Sequence, residues 1–245
     1  IRRPPRSTLS SSSAASDVYK RQVQIFVADN EISIDQAGAT LNLDVEQLGS
    51  GNLIGGETAA AGSMTPLDLD GTTMTIDINQ IGDANLFRGD ITSDTFTGFF
   101  EFDGNQNEFD IQVDPTNTYG ADTSNLNINV TGNSNDMSLD QATSAMASTL
   151  DLDWIIQGDS NTVDADIDVD LATNYMDIDG DSNTIDYNGD GYQGGYFYLD
   201  HTGNSRTINV TQASTLDNDW LRIISNGNTG TFCIIQNDQG TSTSC

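Results

Sequence analysis

The stretch LDWIIQGDSNTVDADI, residues 152–167, decides how the chain is read, and part of it returns in YMDIDGDSNTIDY, residues 175–187. Asp159, Ser160 and Asn161 beside Gly158 would suit either a calcium loop or the turn of a repeated unit. The flanks favour the turn. Leu152 and Trp154 alternate with polar residues before the glycine, and Val163 and Ala165 alternate with aspartates after Asn161. Period 2 on both sides marks two half-buried strands joined by a tight corner.

Aligning the rest of the chain on G-x-x-N finds the same unit eight times. LDVEQLGSGNLI turns at Gly49, IDINQIGDANLF at Gly82, FFEFDGNQNEFDI at Gly104 and LNINVTGNSNDMSL at Gly132. Gly158 and Gly180 follow, then FYLDHTGNSRTINVTQ at Gly203 and LRIISNGNTGTFCIIQ at Gly227; DNEISIDQ, from Asp29, is a further half unit. Successive glycines are 33, 22, 28, 26, 22, 23 and 24 residues apart, so the repeat is about 22–24 residues with insertions. Four residues before each glycine stand Val45, Ile78, Phe100, Ile128, Trp154, Met176, Leu199 and Ile223, all apolar; six before it, only Gly98 and Asn174 interrupt an apolar set.

One such arch cannot bury its apolar face alone, which is why such units stack. The expected fold is an all-β solenoid of stacked strand-turn-strand arches, with rungs about 4.7–4.9 Å apart. Side chains at equivalent positions then form rows along the axis. The turn row is Gly49, Gly82, Gly104, Gly132, Gly158, Gly180, Gly203 and Gly227 with Asn52, Asn85, Asn107, Asn135, Asn161 and Asn183. Gln47 and Gln80 before the turn, and Gln36, Gln141, Gln212 and Gln236 after it, are expected to form amide ladders between rungs.

These motifs resemble the curlin repeat family, whose units carry Gln-x-Gly-x-x-Asn followed by Asn-x-Ala-x-x-x-Gln. QLGSGN (47–52) and QIGDAN (80–85) match the first half; NEISIDQ (30–36), NDMSLDQ (135–141) and RTINVTQ (206–212) match the second, with apolar residues at the Ala position and Arg206 for Asn. Several units lack the Gln before the glycine, and the period is uneven. The resemblance implies a secreted or surface-attached structural component that contributes to fibres or extracellular matrix by self-association through the solenoid ends.

Composition narrows the function classes. Residues 1–22, IRRPPRSTLSSSSAASDVYKRQ, differ from the rest and resemble translated sequencing-library adapter, so they are expected to be non-native and disordered, with the native N-terminus and any secretion signal missing. The repeat domain is expected over 23–237, with 238–245 as a tail or cap. Setting aside Asp17 and the five cations Arg2, Arg3, Arg6, Lys20 and Arg21 leaves 36 acidic side chains against Arg88, Arg206 and Arg222. Such a charge disfavours nucleic acid and anionic membrane surfaces, whose binding starts with Lys and Arg on phosphate. Thirty-one of the 36 acids are Asp, which suits turns and caps better than helices. No run is apolar enough to insert in a bilayer as a helix.

Candidate sites are few. DYNGDG places Asp186, Asn188 and Asp190 at the first, third and fifth positions of an EF-hand-type loop, but Phe197 stands where the bidentate Glu belongs. A weak calcium site and an Asx-Gly-rich loop between arches both remain open there, and no other cofactor is expected. Outward aspartates such as Asp164, Asp166, Asp168 and Asp170 should form columns that repel unless ions intervene. Cys233 and Cys245, the only cysteines, are expected to form a disulfide, with two free thiols as the alternative. His201 reads as a packed or ladder residue, Trp154 as core, and no constellation suggests an enzyme. The competing function is a monomeric calcium-binding adhesin or passenger domain. Either way the expected location is extracellular or at the cell surface.

Overall fold

The computed structural model describes residues 18–25, 31–32, 34–49, 52–57, 64–65, 67–83, 85–113, 123–141, 149–191, 195–214 and 219–237. Among them there is no helix. Except for one short antiparallel pair, every strand runs parallel to its neighbours in a β-solenoid with two sheets.

The strand before each turn builds the upstream sheet. It runs through Val18–Ile25, Thr40–Leu48, 73–81, 95–103, Thr123–Thr131, Leu150–Gln157, Ala172–Asp179, Tyr196–Thr202 and Trp220–Asn226. The strand after each turn builds the downstream sheet, through Glu31–Ile32, Leu53–Ile54, 86–91, Glu108–Val113, Asp136–Gln141, Thr162–Asp168, Thr184–Gly191, Arg206–Ser214 and Gly230–Asn237. The register matches the sequence alignment. Val45, Ile78, Phe100, Ile128, Trp154, Met176, Leu199 and Ile223 face one another rung by rung.

The long step from Gly49 to Gly82 is an insertion that leaves the stack and re-enters it. After Leu53–Ile54 the chain forms the antiparallel pair of Gly56–Glu57 with Met64–Thr65, then rejoins the downstream sheet at 67–70. The first described strand departs from expectation. Residues 18–22, read as adapter and expected to be disordered, lie in Val18–Ile25 and pair with 41–45. A rung edge offers a row of unpaired N–H and C=O groups, and almost any extended segment beside it can hydrogen-bond there.

Between the sheets lies an apolar core, and its residues explain the two breaks in the apolar pattern. Phe87, Phe100, Phe102 and Phe109 pack with ring centroids 5.0–6.1 Å apart, and Phe109 meets Trp154 at 6.2 Å. Gly98 vacates the volume they need: a Cβ there would lie 2.5 Å from Phe100 and 2.8 Å from Phe96. Asn174, fully buried, donates to the Tyr187 hydroxyl at 2.5 Å, and that ring stacks on Phe197 at 3.9 Å. Burial of each such ring stabilises the fold by roughly 1.5–3 kcal/mol. Filling the glycine gap should therefore harm rather than help. Gly98→Leu is expected to lower stability by about 1–3 kcal/mol in chemical denaturation, and an unchanged midpoint would contradict this packing.

Candidate functional site: the turn column and the acidic faces

The turns stack as closely as the strands. All eight turn glycines have φ between +127° and +155°, open to glycine and strained for other residues. Proximity adds a stricter demand. A Cβ on Gly104, Gly132, Gly158, Gly180, Gly203 or Gly227 would lie 1.7–2.0 Å from the carbonyl oxygen of the preceding turn glycine. Two positions on, Gln106, Ser134, Ser160, Ser182 and Ser205 adopt the left-handed conformation with φ of 57–62°, at a cost of about 1 kcal/mol or more each. Hydrogen bonds between rungs offset it. Gly132 N–H donates to Gln157 O at 2.8 Å and Ser134 N–H to Asp159 O at 3.0 Å; Gly158 and Ser160 repeat the pattern with Asp179 and Asp181, each at 2.8 Å.

Two rows of Asx side chains bind the turns together in opposite senses. In the buried row, backbone N–H of Asn52, Asn85, Asn107, Asn135 and Asn161 donates to the side-chain oxygen of the next rung's Asn, at 2.8–3.2 Å. Several of these amides also donate back to their own turn glycine, as Asn85 Nδ2 does to Gly82 O at 2.6 Å. Arg206 ends the row, having no acceptor to offer, but its Nη1 keeps the bond to Gly203 O at 2.8 Å. The second row, just after each glycine, is exposed: Asp181 N–H donates to Asp159 Oδ1 at 2.6 Å and Asn204 N–H to Asp181 Oδ1 at 2.5 Å. The aspartates of GDSNT are thus backbone acceptors. Asp83 shows the electrostatic result, its pKa lowered by the N–H and amide of Asn105. Sequence reasoning missed this row, although an Asp or Asn follows the glycine in every unit from Gly82 onward.

The glutamine ladder is only partly formed. Gln80 Nε2 donates to Gln47 Oε1 at 2.6 Å, and Gln236 reaches Gln212 at 3.5 Å. The rows break because apolar residues intervene in register: Phe102 follows Gln80, Leu69 follows Gln36, and Val113 and Ile167 flank Gln141. Instead, Gln141, Gln212 and Gln236 donate to Ser124 Oγ, Gly195 O and Asp219 O at 2.7–3.1 Å, tying each downstream strand to the start of an upstream one.

Asp186, Asn188 and Asp190 do not form an EF-hand-type loop. They alternate along the exposed side of the regular strand Thr184–Gly191, paired on both edges, because the residues that alternate with them, Ile185, Tyr187 and Gly189, face the core. Alternate residues of an extended strand lie about 6.6 Å apart, so they cannot wrap one ion as a loop does. Among the described residues no group of three or more His, Cys, Asp or Glu is placed to hold a metal. The carboxylate columns do form: Asp164 faces Asp186 and Asp168 faces Asp190, while Asn188 donates to Asp166 at 2.9 Å. Burial, then neighbouring carboxylates, raise the pKa of Asp140, Asp164 and Asp177, and lift Asp168 from 3.8 to about 6.

His201 is fully buried, and burial followed by the Arg206 charge lowers its pKa. Cys233 is disulfide-bonded, and Cys245, its expected partner, lies outside the described residues. Comparison with family models, curated proteins and solved structures finds no match.

The raised aspartates fix a sign for the pH dependence. A carboxyl whose pKa is higher folded than unfolded favours the folded state below its unfolded value, and that contribution is lost as pH rises through the folded value, about 6 for Asp168. His201 acts in the opposite sense but is a single group. Melting temperature should rise when pH falls from 7.5 to 5, and added salt at pH 7.5 should narrow the difference by screening the columns. A melting temperature that falls over this range would contradict the assignment. A local test of the turn is Gly158→Ala, expected to abolish cooperative unfolding, set against Asp159→Asn, which keeps the acceptor and should change stability by less than about 0.5 kcal/mol.

Proposed function

We propose that the chain is a structural or adhesive component of fibres or extracellular matrix, secreted or surface-attached, that assembles through the ends of its solenoid. The observation that carries this reading is the last described rung. Phe232 is 42% exposed and Ile234 46%, whereas Ile208 and Val210, in register one rung below, are 0% and 1% exposed. Their strand, Gly230–Asn237, pairs only on its Arg206–Ser214 side among the described residues. A core cross-section of this kind, beside an unpaired strand edge, is a template for another chain. Head-to-tail pairing of such edges gives an open-ended filament rather than a closed oligomer. The sequence resemblance to curlin repeats points the same way. Residues 238–245, expected as a tail or cap, lie outside the described residues.

The carboxylate columns favour a second reading, a monomeric calcium-binding adhesin, because columns with raised pKa values would be relieved by divalent cations. Negative-stain electron microscopy of residues 23–245 separates the two. End-to-end assembly predicts unbranched filaments without calcium, shortened or lost in the double variant Phe232→Asp with Ile234→Asp. Monomers that gain thermal stability only on adding calcium would favour the adhesin and overturn the filament reading.

A further inference from the structure

The outer face of the upstream sheet carries two stacks of aromatic rings. Tyr175 and Tyr198 stack at 5.1 Å with planes 9° apart, and beside them Tyr196 and Trp220 stack at 4.1 Å with planes 7° apart. Trp220 is 42% exposed and Tyr196 37%. Two residues along the same strands, on the same face, Asp177 and Asp200 stand in register, with Asp153 beside Tyr175 one rung below. The three arginines of residues 23–245 leave these acids largely unmatched. Arg88 is bonded to Glu108 and Arg206 is buried; Arg222 sits over the Tyr198 ring, 5.4 Å from its centroid.

We propose that this face docks an extended basic polypeptide segment. Three features select that partner. The first is charge: the face combines Asp153, Asp177 and Asp200 with a single cation, and a basic segment supplies the missing ones. The second is spacing. Tyr175, Asp177 and Asp179 follow one another along a strand at about 6.6 Å intervals, the spacing of alternate side chains in an extended peptide. The third is ring orientation. Stacking of Tyr175 on Tyr198 and of Tyr196 on Trp220, with Arg222 over Tyr198, takes up ring faces that a sugar would need, and the Tyr198 hydroxyl donates to Asp200 at 3.4 Å. Arg222 shows in the chain itself how a guanidinium is seated, closing the tyrosine column as a cation over a ring. Burial, and then Asp200, Asp179 and Asp153, hold the pKa of Asp177 above the ordinary carboxylate value, so the face carries electrostatic strain that a cationic partner relieves.

The test titrates a labelled eight-residue peptide of alternating Arg and Thr into residues 23–245 at about 20 mM salt, where screening is weak. Binding is followed by anisotropy and by Trp220 fluorescence, the other tryptophan, Trp154, being fully buried. The expected result is saturable binding with a Trp220 response, weakened about tenfold by Asp177→Asn with Asp200→Asn and also by Trp220→Ala. Asp164→Asn with Asp186→Asn, on the opposite sheet, should leave it unchanged, and circular dichroism checks that each variant is folded. Equal weakening by the opposite-sheet variant, binding without a Trp220 response, or tighter binding of a neutral glucan oligomer at Trp220 would each overturn the proposal, as would no saturable binding.

Discussion

The close approach of successive turns is the constraint on which the rest of the structure depends. At six successive positions the carbonyl oxygen of one turn glycine occupies the space where a side chain on the next would begin. Glycine is needed for its φ, but more for the absence of a Cβ, because a single methyl would push neighbouring rungs apart at that corner. Rungs held at strand spacing through the turn let its amides hydrogen-bond between rungs, as the strands do. The corner is therefore a continuation of the sheet, and both Asx rows follow from that continuity.

How much of this could be read from the sequence depends on which physical signal each feature leaves. Alternating apolar residues around G-x-x-N fixed strands, corner and register, since a one-residue slip would turn every core residue outward. Gly98 and Asn174 looked like breaks because the alignment sees one column at a time. Gly98 answers to Phe96 and Phe100 on its own strand, and Asn174 answers to Tyr187 on the opposite sheet. Composition suggested a metal loop at Asp186, Asn188 and Asp190, yet the spacing that mimics a loop is also the spacing of outward positions on a strand. The core preference of Ile185 and Tyr187 settles it. Glutamines were expected to ladder, but a ladder needs the same residue on consecutive rungs, and Phe102, Leu69, Val113 and Ile167 interrupt the rows.

The aromatic surface was the least legible feature. Trp220 considered alone is one exposed ring, and Tyr175, Tyr196 and Tyr198 are scattered in sequence; only the 23- and 24-residue offsets between rungs bring them side by side. The repeat thus does more than bury a core. It turns residues far apart in the chain into rows with different chemistry: acids along the downstream face, rings and acids along the upstream face, apolar side chains at the last described rung. The surfaces differ in chemistry, while the shared architecture is set at the glycine corner.

Amide hydrogen exchange resolved at single residues tests that corner most directly. If the turns are stacked and paired between rungs, the N–H groups of Gly132, Ser134, Gly158 and Ser160 should exchange as slowly as those of the flanking strand residues 150–157, because opening them requires separating rungs. Exchange of these turn amides at the rate of an unstructured loop, with the strands still protected, would contradict the account.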